Sequence, residues 1–566
     1  VIDQLDSIAV PVLETEADHR LATLVRAHLD DLLYREPVFA TYLGIHDQDE
    51  RLGDMSRAGR LEMIELERRF LADLEGLDPA GLSAPNRLER ELAMLSSRRA
   101  LWDGEVHRLW ERRVTAGEEI GDAIFLLFVR DFAPLSERLA TITARLEAVP
   151  LALIQVRDRL GDRVVALWLQ MELDAVESLP SFLDVIVGAG LDVLGPGQPA
   201  QSRLERAAEG ARQALADYGE WIAEQLPEAG DDFALGPERL DELVALRAFD
   251  GLSTDDILAI GYEQLAANQA ARAAAAREID PDATEAEVLA RVKADHPTTF
   301  EEALAEYRDV MDRARAFIEA NGIVSLPVNA PLDVVRTPDY LRQVTPFAAY
   351  FAPAAFDLPR KGIYIVTPSV DGEPGAMREH NRASISNTSI HEAYPGHHLQ
   401  LSAALERPTI TRLLVDAPEF VEGWGMYSEQ LMREHGFDAT PAHRMMLATD
   451  AIWRACRIIL DIQLHRGEIG VDDAIDFLVE QTGFERPNAA AEVHRYTSTP
   501  TYQLSYLLGK VLILRLRADE QRRLGEGFSL RAFHDALLWS GSIPVSFQRR
   551  LLAGEGGGSF MPSAAV

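Results

Sequence analysis

Apolar residues recur at three- and four-residue spacing through most of this chain, with strong helix formers between them. The segments LEMIELERRFLADLEGL, GYEQLAANQAARAAAAREI and EEALAEYRDVMDRARAFIEANG are representative, and each predicts a helix. Short Pro/Gly breaks such as LDPAGLSAPNR, VLGPGQPAQ, LPEAGDD and IVSLPVNAP separate them, and helix resumes at once on either side. The alanine cluster at Ala270–Ala276 predicts a helix packed closely on a neighbour. Between Leu326 and Asn387 the pattern changes. Prolines and β-formers take over, and the run Gly362 to Thr367 (GIYIVT) predicts a strand, hence a small sheet. Helices then return until GEGGGSFMPSAAV, which predicts a loose tail. The fold class expected is mainly α, a large helical body with one small β-sheet. Residues 1–330 would form a helical lobe and 331–566 a catalytic lobe, the two joined as one unit.

Composition narrows the function classes. With 566 residues, 47% hydrophobic and 26% charged, the chain has the profile of a soluble globular protein. No window nears eighteen uninterrupted apolar residues, so no membrane partner is expected. A net charge of −35 without a basic run argues against nucleic acid. The acidic N-terminal stretch lacks a basic region before an apolar core, and the single Cys456, in AIWRACRIIL, reads as a small core residue. The compartment expected is the cytoplasm, with a monomer or homodimer as the assembly.

The chemistry concentrates in SIHEAYPGHHLQ, Ser389 to Gln400. Asn387, Thr388 and Ser389 are plausible N-cap residues for a helix starting near Ile390. His391 followed by Glu392 begins the zinc-binding pattern in which a second His stands four positions on, sharing one helix face. Here Pro395 and Gly396 intervene. On a regular helix His397 would lie ~120° off the face of His391, and His398 ~10.5 Å further along the axis. Pro395 removes the N–H that would bond the His391 carbonyl, and Gly396 opens further backbone angles. A bulge of two or three residues after Tyr394 would bring one of the two His back. In FVEGWGMYSEQLMRE, Glu422 and Glu429 are seven apart on one side of a predicted helix. Glu422 would complete a His₂Glu set with a fourth position open to water, and Glu429 would orient a ligand imidazole. Zinc is the expected cofactor, with other divalent ions acceptable. Trp424 reads as core, and His380, His435, His443 and His465 as surface or core histidines.

HEAYPGHHLQ followed by VEGWGMYSEQL resembles an uncharacterised bacterial family marked by His-Glu-x-x-Pro-Gly-His-His-x-Gln and then Glu-Gly-Trp. That family in turn resembles gluzincin metallopeptidases of the Taq-type carboxypeptidase and angiotensin-converting-enzyme kind. The motifs and their surroundings span roughly residues 340 to 520. The resemblance implies a large two-lobed helical body around a deep cleft and a zinc ion held by two His and a Glu. The order His398-Leu399-Gln400 is similar to the second ligand and its next two residues in converting enzyme and favours His398, whereas Gly396-His397 favours His397. Arg495-Tyr496 looks like the Arg-Tyr pair of that enzyme, which makes Tyr496 the oxyanion donor, with Tyr502 and Tyr506 as reserves. The predicted strand would pair with an extended peptide, and Arg515, Arg517 and Lys510 are candidate cations for a terminal carboxylate. The function expected is a zinc-dependent hydrolase of short peptides, a carboxypeptidase or oligopeptidase with Glu392 as general base. Two rivals are a binding or structural relative without metal, and a zinc hydrolase of a non-peptide amide or ester.

Overall fold

The structure, a computed structural model, describes residues 13–337, 348–368, 376–406 and 408–555. Helix makes up 73% and strand 3%, the mainly helical class that the sequence predicts. Most of the predicted tail lies outside the described residues.

The apolar core divides into two main clusters. One is built by helices of the first 222 residues, among them α1 (Leu135–Arg159). α1 is long and apolar enough, by length and composition, to cross a membrane. Yet Leu139, Ile142, Leu146, Val149 and Val156 are all fully buried against neighbours, as in a core helix. The larger cluster joins α2 (Thr254–Ile279) and α3 (Phe300–Ala320) to residues as far as Val545. This core therefore takes in helices from both sides of residue 330.

Three strands follow α3: β1 (Leu332–Arg336), β2 (Ala348–Phe351) and β3 (Gly362–Val366). Their order is β1-β3-β2, with β3 parallel to β1 and antiparallel to β2. β3 is the predicted strand, and it is central. Its edges are taken on both sides, so the expectation that it would pair with a peptide is corrected: β2 is the edge strand near the site.

Six helices complete the site region. α4 (Arg382–Glu392) and α5 (His397–Ala404) carry the histidines. α6 (Pro418–Glu434) carries Glu422 and Glu429, and α7 (Pro441–Arg466) lies alongside. α8 (Arg486–Ser498) and α9 (Ser505–Leu524) follow. α4 begins earlier than predicted: its N-cap is Asn381, whose side chain accepts from the Ser384 N–H at 2.9 Å. Asn387 and Ser389 are buried inside the helix. A run of small polar residues imitates a cap in sequence, but here it lies within the helix, and the Asn387 amide donates to Glu429 and Asp450 in the interior.

Candidate metal centre

α4 stops at Glu392, and the backbone then makes a wide turn. The Gly396 N–H bonds the Ile390 carbonyl at 3.0 Å and the Leu399 N–H bonds the Ala393 carbonyl at 3.2 Å. Each of these bonds reaches back six residues where a regular helix reaches four. The turn thus holds two extra residues. Glycine is required at 396, since a Cβ there would overlap the His391 carbonyl oxygen. The Trp424 indole N–H locks the turn by donating to the Pro395 carbonyl at 2.7 Å. Trp424 is fully buried, as predicted, and this bond satisfies its only polar side-chain atom.

The two extra residues settle which His comes back. His397 faces His391 with ring centroids 4.6 Å apart. The Glu422 carboxylate lies 3.4 Å from His397 Nε2 and 3.7 Å from His391 Nε2. One donor atom from each of these three residues falls within 4.8 Å of the others, a converging set for a single cation. His398 goes elsewhere. Its Nδ1 meets the Tyr350 hydroxyl at 3.0 Å and its Nε2 the Ala330 carbonyl at 3.1 Å, and burial pushes its pKa down to about 4. The structure does not bring His398 into the cluster, and both its nitrogens are engaged by the protein.

Two imidazoles and a carboxylate are the donor set of a catalytic zinc site, and the surroundings fit one. Glu429 takes the outer position expected for it, with Oε1 2.6 Å from His391 Nδ1. This contact places the Nδ1 proton toward Glu429 and aims Nε2 at the cluster. Asn387 donates to Glu429 at 3.0 Å and to Asp450 at 2.7 Å. α6 carries glycine at 425 because a Cβ there would stand 2.7 Å from the His391 ring. Among the described residues His397 Nδ1 is buried without a hydrogen-bond partner.

The electrostatics is that of a shared-proton cluster. Burial pushes Glu422 up, but its pairing with the His391 and His397 imidazoles outweighs it and holds the carboxyl far below its ordinary range. Burial pulls His391 down, but Glu422 and Glu429 more than reverse this. Asp450, raised chiefly by burial, sits at about 6. A divalent cation in the cluster would take the place of protons.

The cluster opens into a cavity of about 610 Å³, within the size range of small-ligand sites. Glu392 lines it, one residue from His391, and so do Ala349, Tyr350 and Phe351 of β2. Tyr506 is on the wall, its hydroxyl 3.5 Å from that of Tyr502, which donates to Glu422 at 3.4 Å. Thr501, just before Tyr502, holds a left-handed φ of +66° and is pinned by its N–H on Asp461 at 2.9 Å. For a β-branched residue this is a strained backbone next to the site.

Tyr496 is not on this wall. It is fully buried, donates to Glu492 at 2.7 Å and accepts from Arg457 at 3.3 Å. Arg495 pairs with the same Glu492 at 3.0 Å. The predicted cations also lie off the cavity: Arg517 pairs with Glu434, Arg515 is exposed, and Lys510 is buried beside α6. Arg130, Arg454 and Arg457, which sequence reasoning misses, line it instead. The available signal is two arginines three apart in the otherwise apolar AIWRACRIIL, since arginine is rarely buried without purpose. His380, His435, His443 and His465 stay outside the cluster, and Cys456 is buried.

The profile of a bacterial family of unknown function, DUF885, matches residues 37–552. The chain belongs to that family. Two solved structures resemble this DUF885 protein over nearly its whole length. A putative lipoprotein of unknown function from Shewanella oneidensis is 23% identical with a TM-score of 0.77, covering 94% of this chain and 99% of its own. The putative lipoprotein from Colwellia psychrerythraea is 18% identical with a TM-score of 0.81, covering 96% of this chain and 100% of its own. At these identities the likeness is one of fold. No curated protein matches the chain.

Proposed function

We propose that this DUF885 protein is a zinc-dependent hydrolase of short peptides, with His391, His397 and Glu422 as metal ligands. The observation that carries the reading is the turn at Ala393–Gly396, whose two extra residues restore to His397 the place that four-residue spacing gives the second His on a regular helix. A structural helix pair has no need of such a turn, nor of two imidazoles and a carboxylate converging on a cavity. A zinc ion held there supplies a Lewis acid for a carbonyl and lowers the pKa of a water. Glu392 is the base that takes the water's proton and passes it to the leaving amine. Tyr506 on the cavity wall, rather than Tyr496, donates a hydrogen bond to the developing oxyanion, while Tyr502 donates to the ligand Glu422. The edge of β2 that no described strand covers aligns an extended peptide backbone along the cavity wall. The likeness to gluzincin peptidases rests on the motif and the same donor set. The lipoprotein descriptions of the two similar structures favour an extracytoplasmic setting over the cytoplasmic one, which fractionation of cells expressing the full gene would read.

The test is metal content with turnover. Protein purified without chelator should carry about one zinc per chain, and so should Glu392→Gln, while peptide hydrolysis by the variant falls roughly 100-fold or more. A fully active Gln variant, or a protein that takes up no zinc when offered it, would sink the reading.

A further inference from the structure

One wall of the cavity is a single face of α7, where Asp450, Trp453, Arg454 and Arg457 stand at helical i, i+3, i+4 and i+7. Four carboxylates line the same cavity, from Glu392, Glu422, Glu429 and Asp450, in a chain of net charge −35. Three arginines oppose them, and two already have partners. Arg130 donates to the backbone carbonyls of Thr41 at 3.2 Å and Tyr42 at 2.8 Å. Arg457 is ion-paired with Glu492 at 2.8 Å.

Arg454 differs. Among the described residues it makes no hydrogen bond or ion pair, and its Nε is buried without a partner. Its guanidinium lies 3.7 Å from the Trp453 ring centroid, and that of Arg457 lies 4.2 Å from the same ring. Two cations beside one indole repel each other; Asp450 and Glu429 attract Arg454 only through space, and a half-buried cation that no described carboxylate bonds is costly. A guanidinium held against an aromatic face keeps its planar donor fork free for a carboxylate.

We propose that Arg454, with the charge of Arg457 beside it, anchors a carboxylate of the substrate. The substrate class is then peptides or acylated amino acids that carry a free carboxylate. The chemistry rests on the hydrolase reading above; the anchoring does not. The carboxylate comes either from a chain terminus or from an acidic side chain.

The probes are N-acetyl-Ala-Ala, its C-terminal amide, and N-acetyl-Ala-Glu amide, titrated by calorimetry into zinc-loaded Glu392→Gln protein. At least one acid should bind about tenfold or more tighter than the neutral amide, as a charge-assisted pair implies. Which acid gains distinguishes terminus from side chain. The gap should collapse in Arg454→Met and shrink in Arg454→Lys, which carries the comparison if the Met variant does not fold. Equal binding of all three probes, binding of none, or a gap that survives loss of Arg454 overturns the proposal. A protein that prefers acids through Arg454 yet hydrolyses no peptide would instead defeat the hydrolase reading and leave the anchor standing.

Discussion

His397 and His398 are adjacent in sequence, and the fold gives them opposite tasks. His397 turns into the cluster, whereas His398 bridges Tyr350 and Ala330 behind it. Alanine variants should separate the two. His397→Ala should lose stoichiometric zinc with little change in melting temperature of the metal-free protein. His398→Ala should keep about one zinc per chain but lose on the order of 1–3 kcal/mol of stability, because buried partners are left unsatisfied. Metal analysis beside thermal melts reads both, and retained zinc in His397→Ala would refute the assignment. Spacing narrows the second ligand to this pair but does not choose within it. The choice depends on how many residues the turn absorbs, which only its backbone hydrogen bonds reveal. The place of Tyr496 is illegible for a related reason. A phenol's direction depends on the groups it packs on: Glu492 stands one turn earlier on the same helix, but Arg457 comes from α7, whose approach is not written locally.

Between helices, the turn at Ala393–Gly396 is the element on which the site depends. A Gly396→Ala change drives a methyl group into the His391 carbonyl oxygen, an overlap that backbone movement alone can relieve. Because His391 and His397 flank that turn, the movement should pull them apart. Zinc per chain should fall well below one, with a melting-temperature loss equivalent to about 3 kcal/mol or more. Equilibrium dialysis with zinc, followed by melting with and without metal, tests this. Legibility at this scale tracks pattern strength. β3 reads clearly because Ile363, Ile365 and Val366 are β-branched and the run is bounded by turns. β2, with two alanines in four residues, gives no such signal, and its pairing to β3 alone makes it a strand. The start of α4 is hidden because Asn387 and Ser389, polar and small, are buried helix residues, and Asn387 serves the site.

Across the whole molecule the cavity is assembled from distant parts: Tyr42, Leu126 and Arg130 line it together with the helices that carry the His391–His397–Glu422 cluster. A clamp fastens the N-terminal helices to the loop after β2. His46 Nδ1 meets Asp49 at 2.8 Å and Nε2 meets Asp357 at 2.9 Å, while the ring stacks on Phe132 at 3.6 Å. Burial disfavours the imidazolium, but the hydrogen bonds to Asp357 and Asp49 outweigh it and raise the pKa to about 9. A raised pKa means that the folded state holds the proton more tightly than the unfolded chain, whose histidine titrates near about 6.5. The clamp's contribution is therefore complete below that value and is lost as pH rises through about 9. With part of the ring reachable by solvent, the screened magnitude is about 1–2 kcal/mol. His46→Gln should accordingly melt lower than the parent at pH 6 and close most of that gap by pH 10. Melts of both proteins across this range decide it: a gap that stays constant or widens with pH would mean that the imidazolium is not what joins the N-terminal helices to the wall of the site.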